Sequence, residues 1–350
     1  MSRFDYKITD DRKEELFRSL SKEFDIYGPV REIRGGRYCD VDAIMYRKLD
    51  SLGKLEVKEK STYSPKEMLT PITETLFYFN EDSYTETSER YKKKVLVFVR
   101  ACDINAIKYL DDMFLKNGNV EDPFYKRRKK MVHYALMECP NSLDEHCFCV
   151  STNSNKTDNY TLAVRFNDDN SLNLKLKDEE YENLLNGFDN EEFVLKFPEE
   201  NTFSVEFPEI RDNEEANKLA KDPMWDEYNK RCIGCGSCTT SCSTCTCFTT
   251  RDITYTLNAN VGERRRTNAS CMTKEFDLVA GGGTFRTTIK DRYRYKVLHK
   301  IYAHNRRFND GAMCVGCGRC SAHCPQLISF PETINKVSKA LIRIRQGENK

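Results

Sequence analysis

The chain has 350 residues, enough for two or three domains, and its formal net charge of +1 gives no support to a nucleic-acid-binding function. Its apolar runs are too short for a transmembrane helix, and its charged N-terminus lacks the apolar segment of a secretory signal, so we expect a cytoplasmic protein without a membrane partner. In a reducing compartment, the sixteen cysteines indicate metal binding or thiol chemistry rather than disulfide bonds.

Two helices are predicted near the N-terminus. Residues 11–24 place apolar side chains at helical spacing on one face, with Asp10 or Asp11 near the start of the helix. A second helix is expected to follow Pro65 or Pro71. Its apolar face would consist of Met68, Leu69, Ile72, Leu76 and Phe77.

Several strands are predicted between residues 94 and 207. KVLVFV (94–99) is typical of a buried strand, and it leads through a tight loop bearing Cys102 into a helix. MVHYALM (131–137) predicts another buried strand, which ends close to Cys139. Further segments alternate apolar and polar residues, as half-exposed strands do, and these are YTLAVRF, SLNLKLK, FVLKF and FSVEF.

The sequence pattern changes near residue 210. The stretch RDNEEANKLAKDPMW has helical spacing, and the cysteine-rich part of the chain follows it. We therefore predict a mixed domain of helices and strands over residues 1–210 and a cysteine-rich domain over residues 211–335. Residues 336–350 are expected to form a helix end and a frayed tail.

Two cysteine runs share the spacing C-x2-C-x2-C-x3-C. Bacterial ferredoxins bind [4Fe–4S] clusters with this spacing, and in two-cluster ferredoxins the fourth cysteine of each run binds the other cluster. We therefore predict two [4Fe–4S] clusters that exchange one ligand. The first is assigned to Cys232, Cys235, Cys238 and Cys324, and the second to Cys314, Cys317, Cys320 and Cys242.

The alternative for these two runs is a pair of structural zinc sites. Such sites take four ligands arranged in C-x2-C pairs, which leaves the third cysteine of each run without a role. The glycines inside the runs also favour clusters, because a loop without Cβ atoms can approach an inorganic core closely. These glycines are Gly234, Gly236, Gly316 and Gly318.

Four cysteines of the N-terminal region follow predicted strands or share one polar loop. They are Cys102, Cys139, Cys147 and Cys149. Their thiols allow a third [4Fe–4S] cluster, and the alternative is that they are unliganded, since free cysteine is often simply buried. A site that draws instead on Cys245, Cys247 and Cys271 is a further alternative, and Cys39 is expected to be structural.

No catalytic residue can be identified. The sequence contains neither a G-x-G-x-x-G motif after a strand nor a Walker A motif, and no nucleophile with an adjacent base is recognisable. The clustered cysteines are therefore interpreted as metal ligands. A catalytic oxidoreductase with a flavin of its own stays open as an alternative, because flavin sites are not always visible in a sequence.

The order of many motifs resembles one known family. In the N-terminal half these motifs are YGPVREIRGGRYCDVDAIMYRKL, YSPKEMLTPITETLFYF, VRACDINAI, DPFYKRRKKM and CFCVST. In the C-terminal part they are MWDEYNKRCIGCGSCTTSC, CTCFTTRD, GERRR, SCMTKEFDLVAGGGTFR, YRYKVLHK and CVGCGRCSAHCP. Together they resemble the iron–sulfur subunit of anaerobic sulfite reductases, a family related to the β subunits of cytosolic sulfhydrogenases.

This resemblance implies an electron-transfer protein with no catalytic activity of its own. It would relay electrons from a flavin- and nicotinamide-binding subunit to a sirohaem catalytic subunit that reduces sulfite to sulfide. The β subunit of a sulfhydrogenase is the alternative. The resemblance also implies an α+β fold, in which an N-terminal mixed α/β domain precedes a helical ferredoxin-like domain. Ser243, where the family usually has proline, and RTNASC before Cys271 depart from its pattern without removing a ligand.

Overall fold

Two β-sheets organise the protein, whose computed structural model describes residues 4–36, 40–257 and 259–347. The strands are β1 (Asp5–Ile8), β2 (Phe24–Glu32), β3 (Ala43–Lys48), β4 (Thr73–Phe79), β5 (Tyr84–Glu86), β6 (Lys94–Val99), β7 (Val132–Met137), β8 (Leu162–Phe166), β9 (Leu172–Leu176), β10 (Asp189–Asn190), β11 (Phe248–Thr254) and β12 (Gly262–Asn268). The larger sheet has the order β10–β1–β9–β8–β7–β6–β2–β3, and the smaller has the order β11–β12–β4–β5. Cys39, for which the sequence predicts a structural role, lies outside the described residues.

The centre of the larger sheet is parallel. Strands β2, β6, β7 and β8 run in the same direction, and antiparallel strands extend the sheet on both sides. The apolar sequence of β6 suits this place, because a central parallel strand is covered on both of its faces. Strands β6 and β7 are direct neighbours, so the segments that follow Val99 and Met137 leave the same edge of the sheet side by side.

Helices cover both faces of this sheet, and further helices accompany β11 and β12 in the C-terminal part of the chain. They are α1 (Lys13–Glu23), α2 (Ala101–Asn105), α3 (Ile107–Leu115), α4 (Pro123–Met131), α5 (Asn213–Lys221), α6 (Glu227–Arg231), α7 (Ser237–Thr240), α8 (Ile289–Leu298), α9 (His304–Phe308), α10 (Arg319–Ala322) and α11 (Phe330–Arg345). A π-helical turn, His299–Ala303, joins α8 to α9. None of the helices in the described ranges is long and apolar enough to cross a bilayer.

Alternate residues of β6 belong to the two cores of the sheet. Leu96 and Phe98 pack with the apolar face of α1, while Val95 and Val97 pack with the helices on the other face. A separate core holds the C-terminal helices together around Trp225, whose indole Nε1–H donates to the carbonyl oxygen of Leu219 at 2.8 Å. These cores hold in place the sheet edge and the helix ends that carry the cysteines.

The smaller sheet joins the two halves of the sequence. Strands β4 and β5 come from the N-terminal half, and β11 and β12 come from the cysteine-rich part. On β4 of this sheet, the half-buried Glu74 carboxylate accepts hydrogen bonds from Arg128 at 2.6 Å and from Arg266 at 2.8 Å. The sheet therefore crosses the boundary predicted at residue 210, and the 1–210 and 211–335 division stays a prediction.

Several predicted elements have a different structure. The helix expected after Pro65 or Pro71 is a 3-10 turn, Pro65–Met68, followed by β4, because the threonine-rich segment finds a distant partner in β12. FVLKF and FSVEF are not strands, and the backbone N–H of Val205 in the latter donates to the Ser151 hydroxyl. Cys102 lies in helix α2 rather than in a loop. The helix end expected within residues 336–350 is present, and it extends to Arg345 as part of α11.

Candidate metal centre

The four cysteines predicted to bind the first cluster border one cavity. This first set consists of Cys232, Cys235, Cys238 and Cys324. Tyr293 and Lys296 of α8 line the same cavity. Burial raises the pKa of the Cys238 thiol, and the neighbouring Lys296 ammonium opposes that shift because it favours the thiolate. Cys320 of the second set borders the cavity as well, so five cysteines and one buried cation surround it.

The backbone of the first loop is shaped by glycine. Cys232 follows α6 directly, and the chain then turns through Gly234 and Gly236, whose φ angles of +67° and +78° lie in the left-handed region. A Cβ atom on Gly236 would lie 2.9 Å from the Ser270 hydroxyl oxygen. The N–H of Gly234 points back to the Cys232 sulfur at 3.4 Å, and N–H donors of this kind stabilise thiolate ligands.

The second set repeats this geometry beside the first. It consists of Cys314, Cys317, Cys320 and Cys242. The N–H of Gly316 donates to the Cys314 sulfur at 3.5 Å, as Gly234 does in the first loop. Cys314 interacts electrostatically with Cys320 and Cys242, and Cys320 interacts also with Cys238 of the first set. The two predicted sites are thus adjacent.

Glycine has an additional role in the second loop. A Cβ atom on Gly316 would lie 2.4 Å from the carbonyl oxygen of Phe148, and one on Gly318 would lie 2.2 Å from that of His146. The N–H of Phe148 also donates to the carbonyl oxygen of Gly316 at 2.8 Å. The sequence analysis expected these glycines to let the loop approach an inorganic core. In the structure they also allow the loop to contact the polar segment that carries Cys147.

Replacing Gly318 with alanine is expected to disrupt this contact. Gly318 and Gly311 both have left-handed φ angles, +74° and +69°, but Gly311 has open space where its Cβ would stand. Both alanine variants carry the backbone strain, whereas Gly318→Ala adds a steric overlap that costs about 1–3 kcal/mol more. Anaerobic guanidinium unfolding of the two variants measures this difference, and equal midpoints would contradict a tight contact at Gly318.

The third set gathers at the carboxyl edge of the larger sheet. Its members are Cys102, Cys139, Cys147 and Cys149. Cys102 follows β6 and Cys139 follows β7, so the neighbouring parallel strands bring these two segments together. Cys149 interacts electrostatically with Cys147 and Cys139, and Cys102 interacts with Cys149 and with Cys317. The third set therefore borders the second.

A buried ion pair connects the second and third sets. Arg319, between two cysteines of the second run, donates to both carboxylate oxygens of Asp103, at 2.6 and 2.8 Å. Asp103 follows Cys102 directly, and its side chain is fully buried. Ser243 also donates to Asp103 at 2.7 Å. The serine that departs from the family's usual proline thus takes part in this network.

Lysine side chains accompany all three sets, although the sequence analysis did not single them out. Lys60 Nζ lies 3.4 Å from the Cys147 sulfur and 2.7 Å from the carbonyl oxygen of Cys317. Lys296 and Lys300 are 3% and 4% exposed, and they interact with thiols of the first and second sets. Buried ammonium groups beside thiols fit anionic thiolate-ligated clusters, because each offsets part of the negative charge.

The three leftover thiols of the C-terminal part also find partners. Cys245 lies beside Cys242 and Cys271 lies beside Cys247, and in each pair one thiol shifts the pKa of the other. Within the described residues, no three His, Cys, Asp or Glu side chains stand close enough to share one metal ion. Converging thiols, inward N–H donors and buried lysines together match what an iron–sulfur cluster requires of a protein.

Comparison with known proteins agrees with this chemistry. Residues 231–328 match a family model described as a 4Fe-4S dicluster domain. The chain is also similar to the sulfhydrogenase 2 subunit beta of Pyrococcus furiosus, with 30% identity over 352 residues that cover 96% of this chain and 99% of the relative. No solved structure matches the chain.

These findings confirm the prediction of [4Fe–4S] clusters in the C-terminal part of an α/β protein and argue against the zinc alternative. They support an iron–sulfur electron-transfer subunit of an oxidoreductase complex, but they do not single out sulfite reductase. The assignment of individual cysteines to clusters stays a prediction. By its near full-length similarity, the chain belongs to the family of the sulfhydrogenase 2 β subunit.

Proposed function

We propose that this chain is the iron–sulfur subunit of a sulfhydrogenase-type complex, which corresponds to the alternative rather than the first interpretation of the sequence. The similarity over 96% of the chain and 99% of the relative carries this proposal. The clusters, when bound, supply one-electron transfer. The chain's own residues hold them, shield them from water and offset their charge, while substrate chemistry belongs to a partner subunit.

We propose a linear path through the three sets. The electrostatic interaction of Cys102 with Cys317 supports transfer between the third and second sets, and that of Cys320 with Cys238 supports transfer between the second and first. The first set comes near the surface beside Ile233, whose side chain is 56% exposed. Two partners would complete the complex, with a flavin- and nicotinamide-binding protein at one end of this path and the catalytic protein at the other.

The ligand assignments lead to a specific expectation for iron content. Three cubanes correspond to about twelve irons per chain, and two correspond to about eight. We expect about twelve, with a loss of about four in either Cys147→Ser or Cys149→Ser, because both would bind the third cluster. Cys324→Ser should instead lose the first cluster. Iron and sulfide analysis with low-temperature EPR of the reduced, anaerobically purified complex measures these values.

The serine variants provide controls for one another. Two substitutions in one set should remove the same EPR signal, and a substitution in another set should remove a different one. About eight irons in the wild-type chain, unchanged in Cys147→Ser and Cys149→Ser, would show that the third set is unliganded. The electron-transfer proposal would survive that result, because the first two sets suffice for it.

An anaerobic sulfite reductase is the second candidate, supported by the order of the sequence motifs from YGPVREIRGG to CVGCGRCSAHCP. The two candidates share the electron chemistry of this chain and differ in the catalytic partner. Affinity purification of the chain from its native cells under anaerobic conditions distinguishes them. Nickel in the purified complex supports the sulfhydrogenase, whereas sirohaem absorbance together with sulfite reduction would replace it with the sulfite reductase.

A further inference from the structure

Two exposed apolar side chains stand at the rim of the first set. Ile233 lies inside the first cysteine run, and Leu327 follows the second run. Their side chains are 56% and 82% exposed. Ile233 borders the cavity of the first set, and so do Gln326 and Ile328, on either side of Leu327. Apolar surface is therefore presented to solvent directly beside the cavity that the first cluster would fill.

Leu327 also has a strained backbone conformation. Its φ angle of +50° lies in the left-handed region, which bulky side chains rarely adopt. The N–H of Leu327 donates to the carbonyl oxygen of Cys324 at 3.0 Å, and the Arg231 guanidinium donates to the carbonyl oxygen of Leu327 at 3.3 Å. Strain of this kind is concentrated at functional sites, and here it directs an apolar side chain outwards rather than into a core.

The chain segments that form this rim lack acidic residues. Residues 228–251 and 311–331 contain no aspartate or glutamate, although the whole chain has 55 such residues. Lys230 and Arg231 occupy the last turn of α6, immediately before the first cysteine run, and Lys230 is exposed. The apolar side chains therefore have basic residues as their neighbours in the sequence.

Two carboxylates lie at the limits of these segments. Glu227 pairs with Lys336 at 2.5 Å and lies 3.9 Å from Arg231, so cations offset its charge. Glu332 belongs to the first turn of α11. Because Lys230, Arg231 and Lys336 outnumber these two carboxylates, the rim keeps a positive charge. It is complementary to a protein surface on which carboxylates surround an apolar centre.

We propose that Ile233, Leu327, Lys230 and Arg231 form a docking face for an acidic electron-transfer partner, and we name this surface the first-set face. The proposal rests on the electron-transfer function proposed above and adds the chemistry of the partner that meets the first set. Ile233 and Leu327 pack against the partner's apolar centre and exclude water from the rim of the cavity. Aspartates and glutamates around that centre pair with Lys230 and Arg231 and orient the partner.

Cross-linking of the anaerobically purified complex tests this face directly. A water-soluble carbodiimide joins a lysine amine to a carboxylate in contact with it, and peptide mass spectrometry identifies both residues. We expect Lys230 to be joined to an aspartate or glutamate of a subunit that carries a redox cofactor. Acylation of Lys230 should also be slower in the complex than in the isolated chain. Lys92, exposed just before β6, is the control and should be acylated equally in both.

Leu327→Asp tests the apolar centre of the first-set face. Aspartate adopts the left-handed conformation more readily than leucine, so the variant adds a charge without adding backbone strain. We expect the tagged variant to retain about tenfold less of the cross-linked subunit than the wild-type chain does, because a charge replaces a buried apolar contact. Val120→Asp is the matched control, since Val120 is 85% exposed in the loop between α3 and α4, and it should retain the wild-type amount.

Three results would overturn the proposal. They are equal acylation of Lys230 in the complex and the isolated chain, a cross-link from Lys230 to a second copy of this chain, and equal retention by Leu327→Asp and Val120→Asp. The wild-type cross-linking and acylation decide the question even if Leu327→Asp fails to fold. Iron content and EPR of the same complex report the electron-transfer function separately, so that function can stand where the docking face fails.

Discussion

Asp103→Asn is expected to lower the free energy of unfolding by about 3–5 kcal/mol, because it leaves a buried guanidinium without its counter-charge. The side chains of Asp103 and Arg319 are 0% and 2% exposed, and two hydrogen bonds of 2.6 and 2.8 Å connect them. Asparagine keeps the size of the side chain while removing its negative charge. The decrease in the free energy of unfolding therefore reports the penalty of burying an unpaired cation rather than a change in packing.

Two controls isolate this electrostatic effect. The double variant Asp103→Asn/Arg319→Met removes the buried cation as well. We therefore expect its free energy of unfolding to fall by less than that of Asp103→Asn alone. The exposed pair Arg264 and Asp252 has similar bidentate geometry, at 2.7 and 2.8 Å, but Asp252→Asn should cost less than about 1 kcal/mol. Anaerobic guanidinium titration followed by circular dichroism compares them. Equal midpoints for Asp103→Asn and Asp252→Asn would contradict the prediction.

The same ion pair explains why cluster assembly and folding should be coupled. Arg319 belongs to the second cysteine run, and Asp103 belongs to the helix that carries Cys102. The β4–β12 pairing joins the same two halves of the chain at another place. Ligands that reside on distant segments converge only after these contacts form, so metal binding adds its free energy to folding.

The first two sets could be predicted from the sequence because ferredoxin spacing specifies both the ligands of a run and their exchange. The sequence also suggested the third set, with unliganded thiols as the alternative, but the arrangement of its members depends on the fold. Cys102 and Cys139 are far apart in the sequence, and the segments that carry them leave the same edge of the sheet because β6 and β7 are neighbouring parallel strands. A usable signal was present, since both cysteines follow apolar strand segments and the carboxyl ends of parallel strands share one edge.

Other features could not be predicted from local patterns. The segment that forms β4 has apolar residues at helical spacing, and its strand conformation depends on β12, far along the chain. Gly318 fits the expected approach to a cluster, yet its close contact with His146 depends on how two loops pack. Which lysines are buried could not be predicted from local patterns either. Lys290 and Lys296 lie on one helix with the same chemistry, and only tertiary packing leaves one partly exposed and the other buried.

Lys296→Met is expected to make the reduction potential of the first cluster more negative, by on the order of 100 mV. Lys296 lines the cavity of the first set, and its Nζ lies 5.0 Å from the centroid of the Phe330 ring, away from water. A reduced cluster carries one more negative charge, which a buried cation stabilises. Unit charges about 4 Å apart interact by about 4 kcal/mol at an effective dielectric constant of about 20, and about 1.4 kcal/mol corresponds to ~59 mV for one electron.

Lys290→Met is the matched control, because Lys290 lies on the same helix and pairs with Asp226 at 2.5 Å near the surface. It should leave the potential nearly unchanged, since exposed charges are screened by water and salt. EPR-monitored redox titration of the complex measures both variants, with iron content confirming that the clusters remain bound. If Lys296 only supports the fold, Lys296→Met lowers the iron content and leaves the reduction potential of the remaining clusters unchanged. If Lys296 compensates cluster charge, the variant keeps its full iron content and its potential shifts. Methionine preserves most of the apolar stem of lysine, so the comparison isolates the charge.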